Sequence, residues 1–191
     1  CASSPGLAAR EPSWAASPGY ASWRTSSAEP PRRRSPAPGR RRGGGGTVLL
    51  APGQLVLALA AKVESPYRNR EHLCGINSWV TEALHQLGVV GVCPRGICDL
   101  AIEGRKILGA ALFRRRNILF YQSSLLVCCE LTLFGRYLQH PTREPDYRSQ
   151  RPHAEFCTTL AEQGYGLSPE QVAGALRPIV TRQLALPGMG I

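Results

Sequence analysis

Asp99-Leu-Ala-Ile-Glu-Gly-Arg-Lys-Ile-Leu-Gly-Ala-Ala111 consists of two β-prone arms folded about Gly104. Glycine supplies the turn, and Arg105-Lys106 then open a run headed into a sheet. Strand alternation puts Lys106 on the face opposite Ile107. An ammonium carried into a sheet is costly unless an anion meets it. The alternative is an edge lysine whose stem lies on the sheet while its head reaches water. All but two of the 23 basic residues are arginine, the exceptions being Lys62 and Lys106. Ammonium and guanidinium are not interchangeable at a compact site, so Lys106 is the first candidate for chemistry.

Outward from this stretch, residues 99–113 and 118–127 read as two strands joined by Arg114-Arg115-Arg116-Asn117, a hairpin with a charged tip. Residues 70–87 place Leu73, Ile76, Val80, Ala83, Leu84 and Leu87 at helical spacing, with Gly88 as a C-terminal cap. Residues 47–50 and 54–63 are apolar and β-prone about the turn Ala51-Pro52-Gly53. Residues 131–139 suit a short helix, and residues 142–153, with Pro145 and Pro152, a polar surface loop. His140 and His153 read as surface residues, and Trp79 as helix packing. Ser168-Pro169-Glu170-Gln171 opens a helix to about residue 184: a Ser cap, Pro in the first turn, Gln three later. Strands mixed with three helices predict an α+β domain.

Composition narrows the classes. The net charge is +10, but residues 1–42 hold eight arginines against Glu11 and Glu29. The basic excess is thus mainly that of a tail, and a nucleic-acid partner is not expected. This segment also holds seven of the 16 prolines, shows neither period, and reads as a disordered Ala/Pro/Ser/Arg-rich tail ahead of a domain at 43–191. No apolar run approaches the roughly 20 residues of a membrane helix. Seven cysteines without a CxxC pair suggest free thiols, hence a reducing, cytoplasmic compartment. The chain opens on Cys1 and not Met, as a fragment or processed product would.

Arg41-Arg42-Gly43-Gly44-Gly45-Gly46-Thr47-Val48 is the second candidate feature. Glycines let backbone N–H groups approach a ligand, and arginines supply charge for a phosphate or carboxylate. Four glycines are also what a flexible linker looks like. Neither the phosphate-loop nor the dinucleotide pattern fits.

These features together resemble the lipoate–protein ligase A and biotin ligase catalytic family. The resemblance rests on RRGGGGTV, the Pro52-Gly53-Gln54 turn, DLAIEGRKILGAA and the arginine-rich hairpin closing in LLV, and it covers residues 41 to about 160. It implies a class II synthetase-like fold: a mixed, mainly antiparallel sheet flanked by helices. It also implies activation of lipoate or octanoate with ATP and Mg²⁺ to an acyl-adenylate, then transfer to a lysine of a lipoyl carrier domain. The carriers implied are 2-oxoacid dehydrogenase E2 subunits and the glycine cleavage H protein. On this footing Lys106 is the motif lysine beside the acyl carbonyl and phosphate. Gly44, Gly45, Gly46 and Thr47 line the acyl and adenylate site, Asp99 is the acidic position before the lysine, Gly109-Ala110 lie beside the nucleotide, and Arg42 faces phosphate.

The chain also departs from the pattern. The segment before the double arginine does not resemble the family, as in a truncated or altered N-terminus. Tyr121-Gln122-Ser123-Ser124 replaces a His-Gly-[ST] turn. On this resemblance the ligase's C-terminal accessory domain is expected to be missing or supplied by a separate chain. Ala51-Pro-Gly-Gln-Leu-Val56 is closer to octanoyl transferases, which use a thiolate in place of ATP. For that chemistry Cys93 and Cys98 are the candidate nucleophiles, with Arg95 and Lys106 to lower a thiol pKa. Their alternative is packing, as for Cys128-Cys129. No cysteine–histidine spacing suits zinc. A non-catalytic family member that binds a carrier or ligand stays open beside both enzymes.

Overall fold

The structure, a computed structural model, describes residues 19–25, 39–63 and 67–185. Six strands form one sheet: β1 (Gly19–Thr25), β2 (Gln54–Lys62), β3 (Cys93–Arg95), β4 (Asp99–Ile102), β5 (Arg105–Arg115) and β6 (Ile118–Leu126). Their order is β1-β2-β6-β5-β4-β3, and every neighbouring pair is antiparallel. The helices are α1 (Asn69–Gln86), α2 (Thr132–Tyr137), α3 (His153–Phe156) and α4 (Pro169–Ala185), with a 3-10 turn at Asp146–Arg148. The expected α+β class is observed. No helix among the described residues is long and apolar enough to cross a membrane.

Alternation along the strands decides which sheet face is covered. Leu55, Leu57 and Leu59 of β2 and Leu119, Tyr121 and Leu125 of β6 point to one side. There they meet Ile76, Trp79, Val80 and Leu84 of α1 and Val172, Leu176, Ile179 and Val180 of α4 in the main core. Each such fully buried aliphatic side chain contributes on the order of 2 kcal/mol. Trp79 packs as expected. Both helix ends are set locally. Val89 N–H donates to Leu84 O and Gly88 N–H to His85 O, with Gly88 at φ +81°. Ser168 and Gln171 form a reciprocal capping box: Ser168 N–H donates to Gln171 Oε1 and Gln171 N–H to Ser168 Oγ.

Three expectations change. Residues 47–50 form no strand, because both edges of β2 are already paired, to β1 and β6; Leu49 instead joins a second apolar cluster with Leu126, Phe134 and Phe156. The expectation of a structureless tail over residues 1–42 falls mostly outside the described residues. Where they are described, Gly19–Thr25 pairs in register with Leu55–Ala61, so β2 supplies the order that the tail's own periodicity lacks. Residues 142–153 are not merely a surface loop: the 3-10 turn buries Arg148, held by Glu144 and stacked 4.8 Å over Phe156.

Candidate active site

The opposite face of the sheet is where the candidate residues gather. Register places Val56, Ser124 and Gly109 in one row, Ala58, Gln122 and Ala111 in the next, and Ala60, Phe120 and Phe113 in a third. All nine are half-buried, whereas their sequence neighbours on β2 and β6 are buried in the main core. The result is a floor of small and apolar side chains with one amide and one hydroxyl, a shape for an aliphatic chain with a polar head.

Lys106 closes one end of this floor. A bulge sets Leu100 opposite Leu108 but Ala101 opposite Lys106, so β5 gains a residue against β4. Ile107 and Leu108 consequently both enter the core. Lys106 and Gly109 emerge together on the other side. A Cβ at residue 109 would lie 2.8 Å from Lys106 Cε and 2.9 Å from Nζ. The ammonium thus lies across Gly109, and only glycine leaves room for it.

Asp99 meets that ammonium. Lys106 Nζ is 2.8 Å from Asp99 Oδ1, and the two side chains are only 26% and 18% exposed. Tyr147 donates to the second oxygen, Asp99 Oδ2, at 2.9 Å. Burial first, and the Asp99 charge second, push the Tyr147 phenol well above its ordinary range, so it is a permanent donor. Behind Asp99, Tyr121 donates to Asn77 Oδ1 and Asn77 Nδ2 donates to Cys98 O, tying β6, α1 and β4 together. Thr158 N–H bonds Lys106 O at 2.9 Å, and Arg105 bonds Ala154 O and Cys157 O.

The glycine loop lies farther along the same face. Gly44 N–H reaches Leu112 O at 3.4 Å, and a Cβ at residue 43 would meet Ala111 Cβ at 3.2 Å. Arg41 binds Gly44 O and, at 2.6 Å, Gly46 O, so two loop carbonyls turn inward. Gly45, at φ +87°, and Gly46 keep N–H groups without a protein acceptor among the described residues. That is the disposition of an anion-binding nest. Gly109 and Ala111 are two strand residues apart, roughly 7 Å.

Of the residues singled out from sequence, Lys106, Asp99, Gly109, Gly44, Gly45 and Gly46 converge on this face. Thr47 is exposed at the loop's end, and Arg42 is exposed over the Phe113 ring at 6.0 Å. Ala110 does not join them: the bulge turns its side chain to the main core, and Ala111 takes its place. Cys93 is half-buried on β3, opposite Ala101, which in turn pairs with Lys106, and its thiol lies 3.6 Å from Ala101 O. Cys98 is joined in a disulfide to Cys74, with Cα atoms 5.6 Å apart. The expectation of free thiols fails for that pair, because α1 packing brings residue 74 beside residue 98. Tyr147 and Asn77 carry no sequence signal that marks them, and Gln122, Ser124 and Ala111 stood in quoted stretches without being singled out. Their roles depend on register and on chain crossings.

The fold is an α+β domain of the class II synthetase-like type, as in lipoate–protein ligases of known structure. A family model described as the lipoyl protein ligase A/B catalytic domain matches residues 30–178, and the chain belongs to that family. Among solved structures it is similar to a bipartite lipoate protein ligase from Thermoplasma acidophilum, with 21% identity and a TM-score of 0.63 over 75% of this chain and 56% of that one. An ATP-bound lipoate-protein ligase A gives 20% identity and 0.63 over 75% and 57%. The lipoate complex of P. falciparum LipL1 gives 16% and 0.59 over 75% and 38%. The chain therefore spans little more than half the length of the first two. No curated protein matches it by sequence.

Proposed function

We propose that the chain catalyses ATP-dependent activation of lipoate or octanoate and transfer of the acyl group to a lysine of a lipoyl carrier domain. The observation that carries this reading is Lys106: an ammonium held by Asp99 across Gly109, on the same strand and face as Ala111, which touches the glycine loop. A free carboxylate is a poor electrophile. In the first step its oxygen attacks the α-phosphorus of MgATP, the bond to the bridging oxygen breaks, and pyrophosphate leaves. In the second the carrier amine attacks the acyl carbon, the anhydride C–O bond breaks, AMP leaves, and the amine proton passes to water. Lys106 stands where charge builds on the oxygens in both steps; such a preorganised contact contributes about 3–4 kcal/mol. Gly45 and Gly46 take the phosphate by their N–H groups, Gly44 lines the site while its own N–H holds the loop to Leu112 O, Arg42 adds charge at the rim, and the acyl chain lies along Val56, Ala58 and Ala111. The ATP-bound and lipoate-bound relatives support both ligands.

Thioester transfer is the second reading, and the thiols favour it less. Cys98 is bonded to Cys74. Cys157, bridged by backbone to Lys106, is buried, and burial raises its pKa despite the opposing influence of Lys106. ATP–pyrophosphate exchange driven by lipoate or octanoate tests the proposal. Exchange that falls by a factor of about 100 or more in Lys106→Ala is expected. Folded protein with no exchange overturns it and leaves a transferase or a non-catalytic carrier-binding member.

A further inference from the structure

The hairpin tip at the far end of the floor concentrates charge that the chemistry above does not use. Arg114, Arg115 and Arg116 close β5, and Lys62 pairs with Ile118 at the start of β6. Arg114 bonds Asn69 Oδ1 at 3.2 Å and lies 6.0 Å over the Tyr67 ring, which brings the start of α1, with Arg68 and Arg70, to the same place. Among the described residues none of Arg114, Arg115 and Arg116 has a carboxylate partner, and Glu71, bound to Arg68, is the acid described at this end, Glu64 lying outside the described residues. Tyr67, 88% exposed, and the exposed Ile118 stand among these cations. Arginine and tyrosine around an exposed apolar centre is the composition of a protein-docking surface.

The turn itself shows that charge is kept at some cost. Arg116 and Asn117 form a two-residue loop, and Arg116 sits at φ +56°, a conformation that favours glycine and costs other residues roughly 1 kcal/mol. The patch is also within reach of the site. The basic end wraps the edge of the sheet: Arg114, with Tyr67 and the start of α1, lies on the core face, while Arg115 leaves β5 on the floor's face, four strand residues or about 13 Å beyond Ala111.

We infer that this basic end of the sheet docks an acidic surface of the carrier domain that receives the acyl group, Arg115 holding it on the floor's side while its lysine enters over the glycine loop. The inference rests on the function proposed above and adds where the acceptor binds and by what chemistry. Tyr67 and Ile118 provide the apolar contact, and the arginines set association rate and register.

The test measures binding of the whole chain to an unlipoylated E2 lipoyl domain at low and at 0.3 M salt, beside lipoate-driven pyrophosphate exchange. Arg115→Glu/Arg116→Glu is expected to weaken binding at low salt at least tenfold and to flatten its salt dependence, with exchange unchanged. Arg116→Gly suits the left-handed turn and carries no folding risk; it should weaken binding about two- to fivefold. A lipoyl domain with its surface carboxylates converted to amides should lose the same affinity. Unchanged binding in both variants overturns the inference, as does tighter binding of duplex DNA or RNA than of the domain. Loss of exchange with charge-sensitive binding intact would remove the ligase reading and leave the docking face standing.

Discussion

Lys106 lies across Gly109, close enough that a Cβ at residue 109 would fall 2.8 Å from its Cε. The relationship exists because one extra residue in β5 buries both Ile107 and Leu108, so that residues 106 and 109 leave the sheet on the same side. Asp99 and Tyr147 then fix where the ammonium ends.

Gly109→Ala is therefore expected to displace the lysine and leave the fold intact. The clash is with the mobile end of a side chain, so stability should change by less than about 1 kcal/mol. Pyrophosphate exchange should fall about 10- to 100-fold, since a misplaced group forfeits much of a preorganised contact. Thermal unfolding and exchange on the same preparation check both halves.

Tyr147→Phe removes the donor to Asp99 Oδ2 and keeps the ring, which packs 5.0 Å from Phe156. Loss of one hydrogen bond to a charged group predicts about 1.5–3 kcal/mol of destabilisation in urea unfolding. Because Tyr147 is held protonated, its phenolate absorbance should be missing from an alkaline titration until the protein unfolds.

Thiol labelling at pH 8 should separate the four free cysteines among the described residues. Cys128 is exposed and is expected to react within minutes. Cys129, raised to about 11 mainly by burial, and Cys157, raised likewise, should stay unmodified in native protein. Rapid labelling of Cys157, read by peptide mass, would contradict its place beneath Lys106.

His153 gives an acid limb. Burial, then Arg148 and His140, lower its pKa below the usual 6.5. The unfolded chain thus takes up a proton first as pH falls, and stability declines from about 6.5 downward through the folded value. His153→Gln should flatten that part of a plot of melting temperature against pH and leave the region above pH 7 unchanged.

Much of the architecture was readable from local pattern. The 3.6-residue period of α1, the capping box at Ser168 and the breaks at Gly104 and Arg116-Asn117 each act through residues adjacent in sequence. Gly53 is a further case in its φ of +83°, which the Pro-Gly turn dictates locally, although the 2.7 Å approach of the Cys128 backbone to a Cβ there comes from the fold. Residues 47–50 misled because their β-prone side chains carry no information on whether an edge is free to pair.

The sequence by itself determined the α+β class, the helices and hairpin, and the choice of Lys106 and the glycines, since propensity, capping and turn conformation are set by near neighbours. Only the tertiary structure decided that Ala111 and not Ala110 faces the glycine loop, that Cys98 is tied to Cys74, and that Tyr147 anchors Asp99 from 48 residues away. Those outcomes depend on a bulge and on chain crossings, whose energies come from packing between distant segments and leave no periodic trace along the chain.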